Sequence, residues 1–407
     1  GHTGEVKAVA VTLNGDLVVS ASWDGTLKVW DAATGKERHT LSGHAGGVYA
    51  VALTPDGRRA VSASNDNTLK VWDLALSTEL CTLARPPDQP KFDAVQAVAV
   101  TPDGLRVIAA MAGKLREWDI ESGQELRTLE GYAGRISFLA QAIDGRLVIS
   151  QATGDSPKVW DMISGQMLHR LHSPGEYRKV NALTPDLSLA VTSASVRSGR
   201  EREQRRTVWE VASGKELLTL GVQPRPAQVA TQDGRLSVVN LSDGTLHVFH
   251  AMTNKEILTP VAYSFAPCAF TPDQRLAISA SGRTLKVWDI SAPASLLAEF
   301  SSDGDLAASL SVTPDSRCII VGDKGGHVHF LRLEGITPGP PVVTAWQVPN
   351  TRTSAFGCPY CRTWSEVPAS SLGMELPCPN CGDRLKTNPF TIDADWRPVA
   401  RAWQGQS

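Results

Sequence analysis

SASWDGTLKVWDAATGKERHTL, residues Ser20 to Leu41, returns 42 residues later as SASNDNTLKVWDLALSTELCTL, residues Ser62 to Leu83. Each copy opens on small residues that continue a β-branched run, makes a tight turn, runs through LKVWD, turns again and ends in another short run. Upstream of the first copy, VKAVAVT and an Asn-Gly-Asp turn supply one more strand. The segments are too short and too β-branched for helices, and their connections are of hairpin length. The repeating unit is therefore a meander of four short strands.

Three landmarks carry the repeat along the chain. An aromatic residue closes the third strand at Trp30, Trp72, Trp118, Trp160, Trp209, Phe249, Trp288 and Phe330, with spacings of 42, 46, 42, 49, 40, 39 and 42. A Pro-Asp-Gly-type turn precedes it, starting at Asn14, Thr54, Thr101, Ile143, Thr184, Thr231, Thr271 and Thr313. A third turn follows, as in WDAATGKERHTL, WDIESGQELRTL, WDMISGQMLHRL and WEVASGKELLTL. These define eight units. One such meander cannot bury both faces, whereas sheets stacked radially cover one another, and closing the ring leaves only short edges.

At 407 residues the chain can bury a large core, and a repeat array of this length can form one domain. The formal net charge of −2 gives no basic field directed at nucleic acid or an anionic membrane. Seven cysteines, three of them isolated at Cys81, Cys268 and Cys318, make a poor disulfide framework and point to a reducing, cytoplasmic setting. No apolar run approaches the ~18–20 residues that span a bilayer. The chain opens at Gly1, without Met and inside a motif, so a longer N-terminal part is expected.

GHTGEV…SASWDGTLKVWD and GHAGGV…SASNDNTLKVWD resemble WD-repeat β-propeller units, and the resemblance extends over residues 1 to about 348. It implies an all-β closed propeller. Seven blades are common in that family; eight units predict eight blades, with seven plus a leftover unit as the alternative. The phase favours eight, because unit one starts just before its first strand and PVVTAWQ, Pro341 to Gln347, supplies a fourth strand to unit eight. The domains expected are a propeller over 1–348, a small cysteine-bearing module over 349–390 and a tail over 391–407. The ATGKE-type turns are similar to those of C-terminal propellers in bacterial multidomain signalling NTPases, which implies a sensing or recognition role.

His2, Ser20, Asp24 and Trp30, and again His44, Ser62, Asp66 and Trp72, bring Ser, His and Asp into one unit and invite comparison with a hydrolase triad. In the family pattern these residues form a buried hydrogen-bond chain within a blade, satisfying groups that would otherwise cost about 1–3 kcal/mol each. ATGK and ASGK sit between strands and lack the helix N-terminus that a phosphate loop needs. The expectation is that the chain is not an enzyme.

Loops alternate between the two faces of such a disc. Length variation falls on the second-to-third and fourth-to-first connections: residues 84–93, 195–207 and 221–228. Variable loops on a rigid scaffold favour binding. The candidates on this face are Trp23, Tyr132, Arg135, Tyr177 and Arg178, with Arg197, Arg200, Arg202, Arg205 and Arg206 as a clamp for an acidic partner or phosphate. A solvated hairpin explains the arginines equally.

CPYC and CPNC place Cys358, Cys361, Cys378 and Cys381 as two knuckles, each presenting two thiolates. Four sulfurs suit one structural zinc, and iron would use the same set. The segment resembles a zinc ribbon. From residue 351 onward it holds six Lys/Arg against five Asp/Glu, which gives little support to phosphate binding. The partner expected is a protein, or an upstream domain of the same chain. A free-standing scaffold is the alternative, and nucleic-acid binding through the arginine-rich loop and ribbon is the weaker one.

Overall fold

The structure, a computed structural model, describes the chain apart from residues 84–94, 96, 112, 133, 143–144, 173–177, 184–186, 188, 199–200, 222–226, 231–235, 241–245, 251–254, 259–267, 272–275, 290–294, 307–308, 336–339, 341, 349–350, 393–395 and 405–407. In some strands, including 195–198 and 201–206, the description covers the backbone only. Among the described residues nearly every regular element is a strand.

Sheet one holds Val6–Val11, Leu17–Ser22, Thr26–Asp31 and Glu37–Ser42, paired antiparallel in chain order. Six more four-stranded meanders follow. They begin at Val48–Leu53, Ala97–Val100, Ile136–Gln141, Arg178–Leu183, Ala227–Ala230 and Cys268–Phe270. The eighth sheet has three strands, Ser309–Val312, Cys318–Gly322 and Val328–Arg332.

Burial explains the composition of each strand. Leu17–Ser22 is almost wholly buried on both faces, so it carries small apolar and Ser residues, while Glu37–Ser42 is exposed and charged. Successive sheets approach most closely at their first and second strands. Their facing cores run in unbroken order from sheet seven to eight, one, two, three, four and five. Sheet one thus packs on sheet eight: His2 N–H donates to Gly326 O at 2.9 Å, Val6 N–H donates to Asp323 O at 3.0 Å, and Trp30 tilts against Phe330. Sheet six lies between the fifth and seventh in sequence, with its backbone alone described.

Local rules fix the turns. The Asp of WD caps the turn after it: Asp31 Oδ1 accepts from Thr34 N–H at 2.8 Å, and Asp73 Oδ1 from Leu76 N–H at 2.7 Å. In the TPDG turn Thr54 Oγ1 accepts from Arg59 N–H, and Gly57 takes φ +69°, a conformation that favours glycine. A register shift falls at the aromatic residue in all seven four-stranded sheets, for example between Val29 and Trp30. The bulge places the extra residue in the fourth strand, Arg38 in sheet one, opposite the Trp.

Two expectations change here. Val342–Gln347 is not the fourth strand of unit eight. It pairs antiparallel with Thr353–Gly357 and parallel with Arg384–Ile392, at the centre of a five-stranded C-terminal sheet completed by Trp364–Pro368 and Glu375–Pro377. Parallel pairing with a strand some forty residues away returns both edges of this strand to the C-terminal sheet and leaves none for unit eight. Phe330 is not the counterpart of Trp30 either. Val18 pairs with Trp30, whereas Ile319 pairs with Leu331, so HVHFLR aligns with TLKVWD and Leu331 takes the Trp position. Phe330 faces sheet one instead. The expected tail carries a helix, Arg397–Gln404, and Trp396 just before it stacks on Trp364 at 5.3 Å.

Candidate metal centre and interaction surfaces

The C-terminal sheet brings its two CxxC turns together. Cys358 Sγ lies 3.7 Å from Cys381 Sγ, and Cys361 Sγ 3.7 Å from Cys378 Sγ. All four sulfurs fall within 4.8 Å of one another. Tetrahedral ligation at about 2.3 Å per Zn–S bond sets sulfurs about 3.8 Å apart, whereas a disulfide needs about 2.05 Å. The four thiols therefore fit one ion and are not disulfide-bonded. Each knuckle closes with the same backbone bond: Arg362 N–H donates to Cys358 O at 2.8 Å, and Gly382 N–H to Cys378 O at 2.9 Å. Without an ion, burial pushes the Cys358 thiol up. Burial opposes ionisation of Cys361 too, but hydrogen bonds from Thr363, Asn380 and Cys358 draw it down to about 6.

The small core under this site is Val343, Phe356, Val367 and Leu385, joined by Cys358 and Cys378 themselves. The module is docked on the repeat sheets by an ion pair, Arg362 Nη2 to Asp16 Oδ1 at 2.6 Å. Behind it Trp364 stacks on Trp396 and meets Trp346 edge-on, so the three rings form a continuous row.

In unit one a directional chain runs through the blade. Trp30 Nε1–H donates to Ser20 Oγ at 2.8 Å, Ser20 Oγ lies 2.7 Å from His2 Nε2, and His2 Nδ1 lies 2.9 Å from Asp24 Oδ2. Trp72, Ser62, His44 and Asp66 repeat it at 2.8, 2.7 and 2.8 Å. With Ser20 donating to Nε2, the imidazole is neutral and Nδ1–H donates to the carboxylate. Burial lowers the pKa of His2 accordingly. Burial pushes Asp24 up, but hydrogen bonds from Thr26 and from Thr3 N–H outweigh it and hold the carboxyl at about 2. Ser20 and His2 are both buried, and the serine oxygen already accepts from Trp30. The geometry is that of an internal tether.

Tyr132, expected on the binding face, is turned into unit four. Its hydroxyl lies 2.9 Å from Ser150 Oγ, which also accepts from Trp160 Nε1–H at 2.8 Å. Tyr132 thus takes the place of the histidine. Lys158 Nζ, fully buried, sits 3.6 Å from the centre of its ring and 2.9 Å from Asp155. Burial drives the Tyr132 phenol above its ordinary pKa, so it stays protonated.

Trp23 is half exposed on a second-to-third turn, with Tyr49 edge-on at 5.8 Å and Lys7 Nζ 5.3 Å from its ring. The sequence reading missed Lys7 and Tyr49, which occupy the same position in the first strands of units one and two. Arg135 is exposed, and its carbonyl accepts from Thr153 N–H. Tyr177 and Arg200 lie outside the described residues, as do residues 84–93 and most of 221–228. Arg178, Arg197, Arg202, Arg205 and Arg206 are placed by backbone alone. The described part of residues 195–207, read as a loop, belongs to paired strands, Leu189–Ser198 with Glu201–Glu210, in which Arg197 faces Arg202 across the ladder.

Exposed apolar side chains also mark the opposite face. Leu13 and Leu105 sit in Pro-Asp-Gly-type turns, and Leu76 and Ile163 in turns after WD. Among the described residues no helix is long and apolar enough to cross a membrane.

The repeat family described as "WD domain, G-beta repeat" matches residues 1–31, 35–73 and 264–289, so WD40 repeats are present. Such repeats are typically non-catalytic and mediate protein interaction. Among solved structures, the chain is similar to the computationally designed Ika8 protein. The TM-score is 0.61 at 26% identity, covering 82% of this chain and 98% of that one. A comparison with curated proteins finds no match.

Proposed function

We propose that the chain is a non-catalytic recognition module, an eight-bladed closed propeller that binds a protein partner on the face of its second-to-third turns. The observation that carries this reading is Trp23, a large aromatic left half exposed yet held by Tyr49 and Lys7. An indole pre-ordered at a surface is the kind of anchor that dominates binding energy. The unbroken packing of sheets from seven through eight to five supports the ring. The four-cysteine centre holds one structural zinc in this reading, in a module that begins near residue 342. The free cysteines suit a cytoplasmic setting.

The partner is an upstream switch domain of the same protein or a separate signalling protein, so the chain acts as the recognition arm of a larger signalling or defence protein. The test is partner recovery from the source cells by quantitative mass spectrometry, with Trp23→Ala against Leu76→Ser on the opposite face. The reading expects Trp23→Ala to lose a partner that Leu76→Ser retains; the reverse result overturns it. The exposed Leu76, Leu105 and Ile163 favour a second reading, a scaffold that assembles a complex on the other face.

A further inference from the structure

Sheet eight departs from its siblings at one corner. With Leu331 at the Trp position and Val321 at that of Ser20, the tether of units one and two is replaced by apolar residues. The polar groups reappear in the turn between its second and third strands and at the start of the third. Asp323 is buried, and its Oδ1 is fixed by His327 N–H at 2.7 Å. Its Oδ2 lies 3.0 Å from His327 Nδ1 and 2.9 Å from His329 Nε2. The three donor atoms lie within 4.8 Å of one another.

We propose that Asp323, His327 and His329 form a second metal site, which takes a divalent first-row transition ion through one carboxylate oxygen and two imidazoles. An ion about 2.1 Å from each donor would subtend about 90° between Oδ2 and either nitrogen, the angle of adjacent positions in an octahedron. The donor set suits zinc, nickel or iron(II) over calcium or magnesium, which prefer oxygen. The carboxylate is oriented by a backbone amide, as ligating carboxylates are. His2 engages both ring nitrogens within its blade, whereas among the described residues His327 and His329 each use a single nitrogen, toward Asp323.

Access is open on one side. The His327 side chain is 70% exposed, so its ring can adjust to an ion without disturbing the sheet, while His329 is held against Phe300. Three protein donors leave further positions for water or for a partner's side chain. Lys324 lies in the same turn, but its charge is engaged by Asp305 at 2.5 Å.

The test is equilibrium dialysis of the full chain against Zn2+, with bound metal counted per chain after the four-cysteine centre is filled. One further equivalent is expected. His327→Ala should weaken it by at least about tenfold, the scale on which even groups supporting a ligand act. His39→Ala, an exposed histidine on the outer strand of sheet one, should leave it unchanged. Matching melting curves for His327→Ala and the parent chain would show that the fold is intact. Absence of the further equivalent, or its persistence in His327→Ala, overturns the proposal.

Discussion

Sheets one and two and the C-terminal sheet are of similar size, yet they are held together in different ways. Between the first two sheets Val19, Ala21, Leu27, Val29, Leu41, Val48, Ala60, Trp72 and Leu74 are buried in one continuous core, with a hydrogen-bonded tether at its edge. Under the C-terminal metal centre the core holds Val343, Phe356, Val367 and Leu385 together with two of the centre's own cysteines, and Ala345, Trp346 and Ala355 are buried elsewhere in the sheet. Burial at about 25 cal/mol per Å2 can hold the first. The second draws part of its core from thiols that would repel once ionised, so under the proposed reading an ion between them adds to its stability. A repeat sheet borrows its core from its neighbours, and a terminal module cannot.

The comparison breaks most directly at the cysteines. Cys378→Ser should unfold the C-terminal sheet, because structural zinc contributes on the order of 10–16 kcal/mol. The check is limited proteolysis, with new cleavage between residues 342 and 392 and none in the repeat sheets. Next in size is His44→Ala, which strips Ser62 and Asp66 of a buried partner at a cost of about 1–3 kcal/mol. A lowered melting temperature would confirm the tether, and an unchanged one would sink it.

Smaller again is Tyr132→Phe. It keeps the ring against Lys158 and removes the hydroxyl's bonds, chiefly to Ser150, for about 0.5–1.5 kcal/mol per bond by denaturant titration. Acid should act on the tether with a definite sign. His2 is held neutral below its ordinary pKa of 6.5, so its contribution is present above that value. It is lost as the pH falls through 6.5 and the unfolded chain takes up the proton first. Asp24, held at about 2, adds a second loss below its ordinary 3.8. Stability measured from pH 7 to 3 should fall in two stages, and in His2→Gln the first stage should shrink. Trp23→Ala should shift stability by no more than about 0.5 kcal/mol, since the indole is at the surface.

The repeat was legible because its signals are local. A Pro-Asp-Gly turn, a WD cap and small β-branched runs each act over a few residues, and they place seven four-stranded sheets. The partner of Val342–Gln347 was not legible: β propensity marks a strand, but nothing in VVTAWQ specifies parallel pairing with Arg384–Ile392. Phe330 misled for a related reason, since an aromatic residue one position early attracts an alignment that only the register corrects. Tyr132 was read by position, as a residue on a variable loop. Its sequence clue was the GY that replaces GH, which leaves the polar role with a longer side chain. The four cysteines could be read as a set because their spacing is itself the signal, whereas Asp323, His327 and His329 carry no known spacing and needed the turn to bring them together.

Hydrogen exchange on the full chain, with and without a zinc chelator, tests the central difference most directly. The account predicts that chelation strips protection from residues 342–392 and leaves residues 6–83 as slow as before. Unchanged protection in the C-terminal sheet, at confirmed loss of metal, would contradict it.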